Sequence, residues 1–74
     1  MTIRVYTLPG CVQCTATHRN LLSQGIQHET IDLTENPEVA AELKALGYRS
    51  APIVVTENGH WSGFRPDLLA TITA

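Results

Sequence analysis

The sequence predicts an α/β fold: a four-stranded mixed sheet covered by three helices, in the order β-α-β-α-β-β-α. Strand-like alternation of apolar residues gives way to helical periodicity twice in the first half of the chain. An Asn58-Gly59 pair separates the last two strand-like stretches, as a tight hairpin requires. The 74 residues leave no room for an inserted domain or a repeat, so 1–74 is expected to form one domain. At this length a self-sufficient core is near its lower limit, and 43% hydrophobic content is ordinary for a folded chain.

Ile3 and Val5 alternate with Arg4 and Tyr6, the period of a first strand, which Pro9-Gly10 ends. From about Val12 the period becomes helical, with Cys14, His18, Leu21, Leu22 and Gly25 on one face and Gly25 as the stop. A second strand is expected over about His28–Leu33. Asn36 is placed as the cap of a second helix, with Pro37 at its first position, where the missing N–H costs nothing. Val39, Ala40, Leu43 and Leu46 supply its buried stripe, and Gly47 sits where a left-handed residue closes a helix. Pro52–Thr56 reads as the third strand and His60–Ser62 as the fourth, with Glu57 and His60 flanking the Asn58-Gly59 turn. A short helix follows, with Pro66 near its start and Leu68, Leu69 and Ile72 facing inward. A right-handed crossover makes the first two strands parallel, and the hairpin makes the last two antiparallel.

The chemistry resides in Cys11-Val12-Gln13-Cys14, which holds both cysteines of the chain at the first strand-to-helix turn. Thiols at that spacing open and close a disulfide within one helical turn. The N–H groups and dipole at a helix N-terminus favour a thiolate there. A structural bridge is the bland alternative, but closing so short a loop stabilises a fold by only about 2 kcal/mol. Structural zinc needs a full tetrahedral ligand set. Beyond the cysteine pair the chain offers only His18, His28 and His60, without finger-like spacing, and iron–sulfur binding would need cysteines from a second chain. No metal site is therefore expected. A net charge of −2 without a basic stripe argues against nucleic acid. The N-terminal stretch lacks the apolar region of a signal peptide, and no segment reaches membrane-spanning length. With a reactive dithiol, these features lead us to expect a cytoplasmic protein, and nothing demands more than a monomer.

That element order, with Cys-x-x-Cys at the first strand-to-helix turn, is the minimal thioredoxin fold, and in length it is similar to glutaredoxins. Ser50-Ala51-Pro52 precedes the third strand, where thioredoxin-fold proteins carry a cis-proline beside the redox cysteines. Trp61-Ser62-Gly63-Phe64-Arg65-Pro66-Asp67 enters the last helix. Together with the cysteine motif, this stretch resembles the NrdH-redoxins over essentially the whole chain. The resemblance implies a thiol–disulfide oxidoreductase that carries electrons to class Ib ribonucleotide reductase. It also implies reduction by thioredoxin reductase, whose flavin passes on electrons from NADPH, so the chain needs no bound cofactor. Glutathione-using glutaredoxins commonly have Lys near Leu8, Pro-Tyr in place of Val12-Gln13, and Gly-Gly in place of Ser62-Gly63. Without the basic anchor, and with a side chain where backbone must approach a ligand, glutathione is expected to bind poorly. A glutathione-coupled glutaredoxin is the alternative within this chemistry, and a cysteine-ligated metal module the alternative outside it.

Cys11, at the exposed helix start, is expected to be the nucleophile, and Cys14, one turn in and more buried, the resolving thiol. A free thiol titrates at about 8.5 and a redox-active one in this fold near 7, a difference of about 2 kcal/mol. A helix end typically supplies ~0.3–1 kcal/mol, so further hydrogen bonds to the Cys11 sulfur are expected, with only moderate acidification. The resemblance implies that Val12, Gln13, Ala51 and Pro52 contact partners, with the Ala51 backbone pairing an extended tail of the reductase's large subunit. Trp61, Ser62, Gly63, Phe64 and Arg65 are expected to shape the same groove, with Pro66 and Asp67 as structural support. His18 is expected to point away from Cys11 in a simple helix-face role, and His28 and His60 have no evident partner.

Overall fold

Strand β1 (Arg4–Thr7) occupies an inner position in a four-stranded sheet of order β2-β1-β3-β4. The computed structural model describes residues 3–48, 50–57 and 59–72. Strand β2 (Glu29–Asp32) runs parallel to β1, with Val5 opposite Thr30. Strand β3 (Ile53–Thr56) runs antiparallel to β1, with Val5 opposite Val54, and β4 (Gly59–Ser62) is antiparallel to β3 at the edge. The helices are α1 (Val12–Ser23), α2 (Pro37–Ala45) and α3 (Pro66–Leu69). Fold class and element order are those expected.

Alternation along β1 separates two cores, where a single-sided sheet would separate core from solvent. Val5 and Val54 face Leu21 of α1 and Leu69 of α3, with Ile3 and Ile26, and Trp61, Phe64 and Ile72 pack against that cluster. Tyr6 and Ile53 face Leu43 of α2 and Leu33 on the other side, with Val39, Ala40 and Tyr48 at the margin. A sheet covered on both faces gives a chain this short enough apolar burial to fold.

Several local expectations are corrected. The buried row of α1 is Cys14, Thr17 and Leu21, whereas His18 is exposed and Leu22 is 58% exposed. Thr17 tolerates full burial because its hydroxyl donates to the Gln13 carbonyl at 2.9 Å, leaving its methyl for the core. Asn36 stands at the N-cap of α2 but makes no capping bond; its amide donates back to the Asp32 carbonyl at 2.9 Å. Leu46 is 69% exposed, because α2 ends at Ala45 and the chain reverses at Gly47, with the Tyr48 N–H closing onto the Leu43 carbonyl at 3.0 Å. Gly47 has φ +98, the left-handed setting that this closure uses. Strand β2 is shorter than His28–Leu33, and β3 starts after Pro52, which has no N–H to give a ladder. In the hairpin, Thr56 pairs with Gly59, so Gly59 belongs to β4 and the connection lies one residue earlier than expected. Asn58 itself lies outside the described residues. The observed register sets Trp61 opposite Val54 on the α1–α3 side, where its ring packs against the core.

Candidate active site

The turn after β1 delivers Cys11 to the N-cap of α1, with extended backbone (φ −87, ψ 107). Its sulfur therefore sits where the first helical N–H groups point. Cys14 N–H donates to the Cys11 Sγ at 3.1 Å, the additional hydrogen bond that acidification was expected to need. Cys11 and Cys14 form a disulfide with 5.2 Å between their Cα atoms. Cys11 is half-buried at the cleft, and Cys14 is 5% exposed beneath it. Of the two cysteines, Cys11 is the more exposed.

Three further segments close around the pair. The Ala51–Pro52 bond is cis, and the Ala51 carbonyl oxygen lies 3.7 Å from Cys11 Sγ. Pro52 is buried, and its carbonyl accepts the Gly63 N–H at 2.8 Å. The Phe64 N–H in turn donates to Gln13 Oε1 at 3.1 Å. Gly63 has φ +86, and a Cβ added there would lie 3.6 Å from Gln13 Oε1, so backbone conformation more than space selects glycine. The cysteine turn, the proline loop and the segment before α3 are thus linked by consecutive hydrogen bonds. Val12, 81% exposed, is the apolar residue at the rim.

The expected site residues therefore divide. Cys11, Cys14, Val12, Gln13, Ala51, Pro52, Gly63 and Phe64 meet at one end of the sheet. Trp61 and Ser62 lie in β4, half-buried, with the Trp61 indole Nε1 buried and without a hydrogen-bond partner among the described residues. Arg65 turns its guanidinium onto the adjoining carboxylate: Nε to Asp67 Oδ1 is 3.2 Å and Nη2 to Oδ2 is 3.0 Å. That hydrogen bonding holds the Asp67 carboxyl below its ordinary range and raises Arg65. Pro66 takes the first position of α3.

Sequence reasoning also misplaced the histidines. His18 lines the same cavity as Cys11 and Cys14, of about 490 Å³, together with Leu8 and Thr30. Its Nδ1 lies 2.7 Å from His28 Nε2, and His60 bonds Tyr48 through its Nδ1. The signal for the first contact was the four-residue step from Cys14 to His18; the partner from the segment before β2 had none. Among the described residues, no group of three or more His, Cys, Asp or Glu is placed to hold a metal ion, and no helix is long and apolar enough to cross a membrane.

A Cys-x-x-Cys disulfide at the first helix start, backed by a cis-proline loop on a mixed four-stranded sheet, defines a thioredoxin-fold dithiol protein. The glutaredoxin family model matches residues 3–61. The chain is 44% identical over 69 residues to the glutaredoxin-like protein NrdH of Escherichia coli K12, covering 93% of this chain and 85% of that one. It is 31% identical over 70 residues to the protein of the same description from Lactococcus lactis IL1403, covering 95% and 97%. The solved structure of the E. coli glutaredoxin-like NrdH-redoxin, described as having a thioredoxin-like activity profile, superposes with a TM-score of 0.97 at 40% identity, covering 100% and 97% of the two chains. The chain belongs to the glutaredoxin family, among its NrdH-type thiol–disulfide oxidoreductases.

Proposed function

We propose that the chain is an electron carrier that takes electrons from NADPH through thioredoxin reductase and delivers them to class Ib ribonucleotide reductase. The observation that carries this reading is the hydrogen-bonded Cys11 sulfur above a buried Cys14, with the Ala51 carbonyl of the proline loop beside it. In the reduced carrier the Cys14 N–H and the helix end favour the Cys11 thiolate. That thiolate attacks a partner disulfide, forming an S–S bond to one partner sulfur and expelling the other as thiolate. Cys14 loses its proton and attacks Cys11, the bond to the partner breaks, and the Cys11–Cys14 disulfide remains. Two electrons have passed to the partner. The reductase then returns two, and no cofactor of the chain's own takes part.

An extended partner tail fits beside Ala51, whose backbone lies next to the reacting sulfur, with Val12 and Phe64 offering apolar contact. In this reading Trp61 and Ser62 set the groove wall through the sheet, Arg65 with Asp67 and Pro66 fixes the entry to α3, and the carrier works as a cytoplasmic monomer. Leu8, half-exposed on the cleft wall, gives glutathione no cationic anchor, and Gln13 already occupies the Phe64 N–H. The test follows NADPH consumption with a ribonucleotide reductase substrate in two arms, thioredoxin reductase alone or glutathione with glutathione reductase. Turnover confined to the first arm is expected. Turnover confined to the second would replace this reading with a glutathione-coupled glutaredoxin.

A further inference from the structure

The His18–His28 contact has a direction that its surroundings fix. The Ile26 carbonyl only accepts, and His28 Nδ1 lies 3.3 Å from it, so His28 carries its proton on Nδ1. Neutral His28 then presents a lone pair at Nε2, and the 2.7 Å contact requires His18 to donate from Nδ1. The remaining nitrogen, His18 Nε2, is left with a lone pair and no hydrogen-bond partner among the described residues. His18 stands four residues after Cys14 on α1, the spacing that makes helix neighbours. Side chains on a helix lean toward its N-terminus, the direction of the turn that carries Cys14, and His18 lies between the cysteine cavity and a second one lined by Leu22, Gly25 and His28. His18 and Cys14 both line the cavity that Cys11 opens into, which is wide enough for a bridging water. Of the nearby charges, Glu29 pairs with Arg4 at 3.6 Å, and Arg19 lines a different cavity, with Val12, Thr15 and Phe64.

From this geometry we infer that His18, held by His28, accepts the Cys14 proton in the resolving step. The inference rests on the nucleophile-and-resolver reading of the two cysteines. In the mixed disulfide, Cys14 Sγ–H gives its proton to His18 Nε2. The positive charge that develops on His18 is stabilised through its Nδ1–H on His28, and through the His28 Nδ1–H on the Ile26 carbonyl. The Cys14 thiolate bonds to Cys11 Sγ, the Cys11–partner S–S bond breaks, and the bonding pair leaves on the partner sulfur. His18 then passes its proton to that thiolate or to water. A buried thiol resists ionising alone, so a base beside it raises the thiolate fraction in the resolving step.

An aromatic disulfide whose released thiolate is coloured separates the two steps in a rapid-mixing experiment on the reduced protein. The first release reports Cys11 attack and the second reports Cys14 attack. His18→Ala is expected to leave the first phase at the wild-type rate and slow the second about 100-fold, at the modest end of general-base effects. Added imidazole at constant pH and ionic strength is expected to restore the second phase. His28→Ala is expected to slow the same phase less, because His18 keeps its ring and loses only its acceptor. A second phase unchanged in His18→Ala, equal slowing of both phases, or slowing without imidazole rescue would overturn the assignment. His28→Ala at the wild-type rate would overturn the paired arrangement. A single release from the wild-type protein would remove the dithiol reading itself, an outcome distinct from the others.

Discussion

Gln13→Ala tests whether the cysteine turn and the segment before α3 act as one surface. The bond removed runs from the Phe64 N–H to Gln13 Oε1 at 3.1 Å, and both ends face solvent. Water can replace the lost acceptor, so the net loss is that of one ordinary neutral bond, about 0.5–1.5 kcal/mol. Near 1 kcal/mol, Tm of the oxidised protein should fall by about 4–8 °C. If partner binding requires the 63–65 segment in its present place, the same free energy appears in KM, as a rise of up to about fivefold. Kcat should hold, because neither cysteine moves. Gln13→Glu separates the causes: its carboxylate still accepts the Phe64 N–H and should keep Tm. Its negative charge two positions after Cys11 should push the Cys11 thiol titration upward. The assays are thermal unfolding and NADPH-coupled turnover over a range of partner concentrations. Wild-type Tm and KM in Gln13→Ala would refute the reasoning, and a lowered Tm with unchanged KM would confine the bond to stability.

Cys14→Ser should accumulate a mixed disulfide on Cys11, visible by non-reducing mass spectrometry, and Cys11→Ser should form none; the reverse pattern would exchange the two roles. Leu21→Ala, at a fully buried position, should cost about 2–5 kcal/mol in urea unfolding, whereas Leu46→Ala, at 69% exposure, should stay within about 0.5 kcal/mol. Asp67 has its folded-state carboxyl lowered by the hydrogen bond from Arg65, so its stabilising contribution is present above the ordinary carboxylate range. That contribution is lost as pH falls below about 4. Asp67→Asn should therefore flatten the acid limb of the stability profile, and unfolding curves superimposable with wild type from neutral pH to acid would contradict the pairing.

Much of this protein was readable along the chain. Each helix and strand has its main determinant within a few residues: alternation for β1, Pro37 and Gly47 for the bounds of α2, Pro66 for the start of α3. The redox pair was equally plain, because Cys-x-x-Cys is a local spacing and a helix start is a local environment. The errors share a cause. Thr17 was missed as a core residue because its polar group is satisfied one turn back, at the Gln13 carbonyl. Leu46 was assigned inward because periodicity does not report where a helix stops packing. The hairpin register shifted because Trp61 packs against a core assembled from α1 and α3, which the turn residues do not encode.

By itself, then, the sequence determined the order of elements, the two-sided supply of apolar residues and the chemistry of the Cys11–Cys14 pair, since all three arise from short-range periodicity and residue type. Tertiary structure alone decided what surrounds the sulfur. It set the Ala51 carbonyl 3.7 Å from Cys11 across 40 residues of chain and joined Gln13 to Phe64 across 51. It also turned His18 toward His28. Such contacts form only when sheet and helices close on each other, and no local propensity specifies them.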